Sequence, residues 1–215
     1  MITTPDLIDT LASGLKPKPP RYLARRLGIG FGIGAAIASV AMLLLWGPRH
    51  DLVAALAAPP LWIKFAFTGL LMLAGLAAAF DLSRPDGRVP RAVWLVIAAV
   101  LLAMGLLAVL QLANASPDET GWLLMGGTAA SCPLLIMALA TPVLAGTLLA
   151  MRALAPTRLT LAGAAAGLAA GGSAAFIYAF SCDESAMPFV LIWYGLGMAI
   201  PTAVGALVGP HLLRW

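Results

Sequence analysis

Two thiols are the groups in this sequence best suited to chemistry. Cys132 and Cys182 are its only cysteines. Cys182 stands in the polar run Ser181-Cys182-Asp183-Glu184-Ser185, with two carboxylates beside it. Such a pair has three readings. The cysteines are unrelated, Cys132 being a small buried hydrophobe. They form a disulfide. Or they respond to a soft metal ion or an oxidant, with Asp183 and Glu184 as auxiliary ligands. The residues alone leave all three open. Two thiolates are too few to close a tetrahedral zinc site, but enough for transient, linear coordination of a very soft ion. No permanent cofactor is expected. Other chemistry is missing from the pattern: there is no G-x-S-x-G nucleophile within an apolar run, no H-E-x-x-H and no paired intramembrane aspartates. The chain is not expected to be an enzyme.

The elements that must position these thiols follow from composition. The chain has 215 residues, 61% of them hydrophobic and 10% charged, with a mean hydropathy of +0.96. Soluble domains are roughly 45–50% apolar and about 25% charged. That excess of apolar surface excludes a soluble enzyme, a nucleic-acid-binding domain and a disordered chain. Six apolar runs stand out, at about 27–46, 61–80, 92–113, 123–150, 159–180 and 187–209. Each is near or above the roughly 20 residues that span a bilayer. The runs are continuous rather than alternating, so helices and not barrel strands are predicted. The fourth is too long for one crossing, and 123–128, with Gly126 and Gly127, is expected to lie at the interface or to turn back. The fold class is thus an all-α integral membrane bundle of six transmembrane helices. Residues 1–26 form an N-terminal segment, 27–209 the bundle and 210–215 a tail. The first run is too long, and too far from the N-terminus, for a cleavable signal peptide.

Charge orients the bundle. Lys16, Lys18, Arg21, Arg25, Arg26, Arg84, Arg88, Arg91, Arg152, Arg158 and Arg214 fall on one side. Only Arg49 and Lys64, of thirteen basic residues, fall on the other, with Asp51, Asp118, Glu119, Asp183 and Glu184. The positive-inside rule then places both termini in the cytoplasm. Lys64, just inside the second span, is expected to snorkel outward. Both cysteines fall at the outer side, an oxidising place if it is a periplasm. His50 and His211 fall on opposite sides and cannot share a site. Trp46, Trp62, Trp122, Tyr178 and Trp215 lie near span ends, as interfacial aromatics do. Pro133, Pro142 and Pro201 are expected to kink their helices. Gly163, Gly167 and Gly171 share a face of the fifth span, and Gly205 and Gly209 repeat the spacing in the sixth. Small residues at this interval let helices approach closely; packing inside the bundle is the ordinary reading and a dimer face the alternative. No Asp, Glu, Arg or His lies in the middle of a span, which disfavours ion-coupled transport. A small transporter or efflux component, and a structural membrane subunit, remain the rival functions.

Residues 1–26 are the one extramembrane stretch long enough to bind a partner. Thr4-Pro5-Asp6 reads as a helix start, with Thr4 as N-cap and Pro5 at the first helical position. Leu7, Ile8, Leu11 and Leu15 recur at helical spacing, and Asp6, Asp9, Thr10 and Ser13 fall largely off that stripe. The Lys16-Pro17-Lys18-Pro19-Pro20 run follows as a stiff tether. A helix of about ten residues is marginal alone in water, so the stripe needs a cover. The membrane surface and a groove on a protein are both open.

The sequence resembles the NrsF-like family of bacterial integral-membrane anti-sigma factors along essentially its whole length. The resemblance is carried by Asp6-Leu7-Ile8 with Leu11-Ala12, the Pro17/Pro19/Pro20 cluster, Leu23-Ala24-Arg25-Arg26-Leu27, Leu154-Ala155-Pro156-Thr157-Arg158 and Cys182. It continues in Pro188-Phe189-Val190, Trp193-Tyr194 and the ending Gly209-Pro210-His211-Leu212-Leu213-Arg214-Trp215. It implies a six-span protein of the bacterial inner membrane that holds an extracytoplasmic-function sigma factor inactive through Asp6, Leu7, Ile8, Leu11 and Leu15. It also implies release under heavy-metal stress, with the two family cysteines mapping by position onto Cys132 and Cys182. The expected partners are that sigma factor and membrane lipid, with no direct contact to nucleic acid and the oligomeric state left open.

Overall fold

The computed structural model describes Thr4, Asp6, Ser13 and residues 21–214. Eight helices cover most of the stretch from Tyr22: α1 (Tyr22–Leu45), α2 (Leu52–Leu56), α3 (Pro59–Leu82), α4 (Arg91–Ala113), α5 (Pro117–Met125), α6 (Cys132–Arg152), α7 (Leu159–Tyr178) and α8 (Met187–Leu212). Six of them, α1, α3, α4, α6, α7 and α8, are long and apolar enough to cross a membrane. The described residues form no strand. With no water in the hydrocarbon, each span satisfies its backbone internally.

Sequence sets the helix ends. Pro59 opens α3, and extended Ala58 before it (ψ 138°) is the conformation a following proline imposes. Pro90, also extended, precedes α4. Ser116 and Glu119 form a reciprocal capping box on α5, with Pro117 at its first position. That box separates the surplus of the fourth apolar run into a short helix of its own. α5 then ends at Gly126, whose φ of +51° lies where a side chain would be strained. Pro133 sits in the first turn of α6 and so starts that helix rather than kinking it, whereas Pro142 and Pro201 lie within helices.

α7 is the hub. It is the most buried of the spans and packs most extensively against α8 and α3. Its Ala- and Gly-rich sequence makes this possible. A Cβ on Gly163, Gly167 or Gly171 would strike the backbone of α8 at Gly205, Pro201 and Met198. On another face, Gly172 meets Met72 and Ala169 meets Gly75 of α3. The glycine spacing is therefore taken up inside the bundle. α1 docks on α6 in the same way, Gly30 and Gly34 lying against Gly146, Pro142 and Val143.

The connections gather at two ends. At one, Thr157 Oγ1 donates to Pro85 O (2.8 Å) among the arginine-rich turns. At the other, acidic end, the 46–58, 114–131 and 179–186 connections interlock. Arg49 N donates to Phe180 O (3.0 Å), Ser181 Oγ to Gly47 O, Gly127 N to Glu184 Oε1 (2.7 Å) and Trp193 Nε1 to Leu124 O (2.8 Å). Thr4, Asp6 and Ser13 are helical and exposed. Thr4 thus lies within the helix rather than capping it, a shift of the kind helix ends commonly show.

The glycine contacts predict a directional result. Gly167→Leu forces α7 from α8 and, at the roughly 1–3 kcal/mol typical of overpacking, lowers the melting temperature of the full chain in detergent. Gly28→Ala, at a position where a Cβ meets nothing, leaves it unchanged. Equal melting of the two variants would contradict the packing described.

Candidate functional site

Helix geometry brings the two cysteines together from different parts of the chain. Cys132 is the first residue of α6, its N–H bonded to Thr128 O (2.9 Å). Cys182 follows α7, its N–H bonded to Tyr178 O (3.1 Å). Both are free thiols and both are buried. Their sulfurs lie within hydrogen-bonding reach of each other.

A lysine closes the cluster. Lys64, in the first turns of α3, is 0% exposed. Its Nζ donates to Cys182 O (3.1 Å) and Glu184 O (2.8 Å) and lies 4.5 Å from the centroid of the Tyr194 ring. The expected snorkelling does not occur. The reason is local: the backbone carbonyls of the α7–α8 connection solvate the ammonium inside the protein, and the ring face adds a cation–π contact. Tyr194 is also fully buried. It ends a single wide π-type turn, Val190–Tyr194, within α8, a local distortion often found at functional positions. Its Oη influences Cys182 yet completes no hydrogen bond among the described residues. Tyr178 stacks obliquely against it, ring centroids 5.9 Å apart. Tyr178 is therefore a buried member of this cluster and not an interfacial aromatic.

Above the thiols, Arg49 pins the connection. Its Nη1 donates to Cys182 O (3.4 Å), while Nε meets Asp51 (2.6 Å) and Asp183 (3.3 Å). The hydrogen bond with Asp51 raises the guanidinium pKa and lowers that of the carboxylate. The hydrogen bond from Cys132 pulls the Cys182 thiol below its ordinary range; the Lys64 charge works in the same direction, against the effect of burial. Asp183 and Glu184 point elsewhere, Asp183 to Arg49 and Glu184 to the Gly127 amide. Among the described residues, no three Cys, His, Asp or Glu side chains gather where they would hold a metal. The donor set is two sulfurs. That suits a two-coordinate soft ion or conversion to a disulfide, and does not suit a closed four-coordinate site.

The chain matches the family model described as negative regulator of sigma F over residues 11–215. It belongs to the NrsF family. The chain is 45% identical to the probable anti-sigma-F factor NrsF of Azospira oryzae over 215 residues, covering 99% of each. It is 41% identical to the anti-sigma-F factor NrsF of Caulobacter vibrioides over 219 residues, again covering 99% of each. No solved structure matches. The family is regulatory rather than catalytic.

Of the two regions of this NrsF-family chain singled out in the sequence, the thiol end is described in full and the N-terminal segment only at Thr4, Asp6, Ser13 and 21–26. Of the N-terminal residues singled out in the sequence, Asp6 is helical and exposed, while Leu7, Ile8, Leu11 and Leu15 lie outside the described residues. At the thiol end, sequence reasoning missed Lys64, Tyr194 and Arg49 as site residues. One signal was available: an ionisable residue within a span is a functional candidate by default, and Lys64 is such a residue.

The proximity of the sulfurs predicts oxidation without dimerisation. Treating the full chain in detergent with diamide should link Cys132 to Cys182 within one molecule. Peptide mass spectrometry would find the linked pair, and both thiols would resist alkylation after denaturation until reduced. Two alkylatable thiols after treatment would show that the sulfurs do not meet.

Proposed function

We propose that this chain is an inner-membrane anti-sigma factor. Its cytoplasmic N-terminal segment, 1–26, holds an extracytoplasmic-function sigma factor through Leu7, Ile8, Leu11 and Leu15, with Asp6 at the edge of the contact. The thiols Cys132 and Cys182, on the periplasmic side, receive a metal or redox signal that releases it. The observation that carries the reading is the pairing of two buried, reduced thiols at the acidic end of a chain in a family of negative regulators. The relatives' description as anti-sigma-F factors supports the choice of a sigma factor as partner. The arginine-rich opposite end supports the cytoplasmic placement of the termini.

The chemistry needs only these two side chains. With a soft cation, two sulfur–metal bonds form as the two thiol protons pass to water. With hydrogen peroxide, two S–H bonds break and one S–S bond forms; the oxidant takes both electrons and both protons and leaves as two waters. Either event draws the start of α6 and the α7–α8 connection into a new arrangement. A bundle with two packings is then biased toward the one that holds the partner less tightly, as differential contacts require.

Two substitution sets test the reading in cells carrying the full chain, its cognate sigma factor and a reporter of that factor's regulon. Leu7→Asp with Leu11→Asp removes repression while membrane insertion stays normal. Cys132→Ser and Cys182→Ser each keep repression but abolish induction by metal or oxidant. Intact repression in the first set contradicts the binding role, and intact induction in the second contradicts sensing.

A further inference from the structure

α4 is the least buried of the six spans. At the acidic end, Gln111 Oε1 accepts from Met187 N (2.8 Å) and ties α4 to the start of α8. Elsewhere α4 packs chiefly on α3. Toward the arginine-rich end it stands apart from α7 and from the later turns of α8. The gap is a groove of about 460 Å³ walled by α3, α4, α7 and α8. That volume falls within the roughly 300–1,000 Å³ of small-molecule sites. Small residues hollow two of its walls, Ala164 and Ala165 on α7 and Ala199 and Ala203 on α8. The lining is apolar in effect, because the hydroxyl of Thr202 is bonded to Met198 O (2.7 Å). The groove opens sideways, where Leu101 and Leu161 are exposed.

The groove has a definite length and a charged mouth. Along α8 it runs from Gly195 to Ala206, about 16 Å at the roughly 1.5 Å rise of each helical residue. That is about half of the roughly 30 Å hydrocarbon layer. A second spanning helix needs the full thickness, whereas an acyl chain of one leaflet needs half. At the mouth, Val89 lies between Arg88 and Arg91, and Leu161 follows closely on Arg158. The Thr157–Pro85 hydrogen bond (2.8 Å) draws these two arginine-bearing turns together. Arg88, Arg91 and Arg158 are exposed. Among the described residues the ion pairs are those of Arg49, at the other end, so Asp81 and Asp86 neutralise none of the three. Trp94, 55% exposed, stands beside them on the groove wall, with the polar edge that places such rings at headgroup depth.

We propose that this groove binds an anionic phospholipid, with one acyl chain between α4 and the α7–α8 pair and the phosphate at Arg88, Arg91 and Arg158. A guanidinium meets phosphate oxygens with two parallel N–H···O bonds. Basic clusters between spans, at the level of the headgroups, recognise anionic lipids in this way. The apolar length alone would accept any lipid, and the arginines select the charged one. The bound chain gives α4 a partner on the face that α7 and α8 leave bare. The site lies at the end of the bundle away from the thiols and is independent of their chemistry.

The test counts lipids on the full chain. Native mass spectrometry of the delipidated protein in detergent follows its titration with palmitoyl-oleoyl phosphatidylglycerol, and with phosphatidylcholine carrying the same chains. One phosphatidylglycerol is expected to bind about tenfold or more tighter than phosphatidylcholine, the scale that a few arginines beside an anionic lipid supply. Replacing the three arginines together (Arg88→Gln, Arg91→Gln and Arg158→Gln) removes that preference. Ala203→Trp fills the groove and removes the tight binding, while Ala98→Trp, on an exposed part of α4 outside the groove, retains it. Equal affinity of the wild type for the two lipids overturns the proposal even if no variant folds. Tight binding that survives Ala203→Trp overturns it as well. So does a wild-type dimer that Ala203→Trp breaks, which would give the groove to a second copy of the chain.

Discussion

The ammonium of Lys64 has no access to water, and the acidic end of the molecule is organised around that fact. Its two strongest partners are carbonyls from residues 182 and 184, more than a hundred positions away in the chain. To deliver those carbonyls, the α7–α8 connection folds inward over α3. Cys182 comes with it, and Cys182 meets Cys132 because α6 packs along both α7 and α8 and begins at the end where those two connect. Arg49 and Gly127 hold the same connection from outside. A charge that a surface would have solvated thus fixes the geometry of two thiols.

The bundle beneath makes such closeness possible. α7 is mostly Ala and Gly between Ala162 and Ala175, so α3 and α8 approach its backbone through Gly75, Gly172, Gly163 and Gly205. In lipid, apolar surface has no water to escape, and tight van der Waals packing of small residues is the main source of helix association. The π-type turn at Val190–Tyr194 interrupts α8 just where Tyr194 must face Lys64. In the proposed function, rigidity at the hub and chemistry at the rim are complementary, since a local charge change is felt only where packing transmits it.

Much of the fold was legible in the sequence because lipid imposes simple rules. Apolar runs of spanning length gave the six helices, and the spacing of Gly163, Gly167 and Gly171 gave an interior face. The co-location of Cys132 and Cys182 at one end followed from counting crossings. What was not legible depends on long-range partners. Lys64 looked like a residue that reaches for water, because nothing near it in sequence reveals carbonyls arriving from residues 182–184. Tyr178 looked interfacial for the same reason. The surplus of the fourth run was visible, but its resolution into α5 and the Gly126 turn rests on the Ser116–Glu119 cap and the Glu184–Gly127 bond. The apolar stripe at Leu7, Ile8, Leu11 and Leu15 remains a reading of periodicity.

In the proposed function a thiol pair at one end of the bundle governs a protein partner at the other. The most direct measurement is the affinity of the cognate sigma factor for the full chain in nanodiscs, by fluorescence anisotropy, with the thiols reduced and then oxidised by diamide. Tight binding is expected in the reduced state, with weakening of about five- to a hundredfold on oxidation, within the usual span of allosteric coupling, and recovery on reduction. Equal affinity in the two states, with the disulfide shown to have formed, would contradict it.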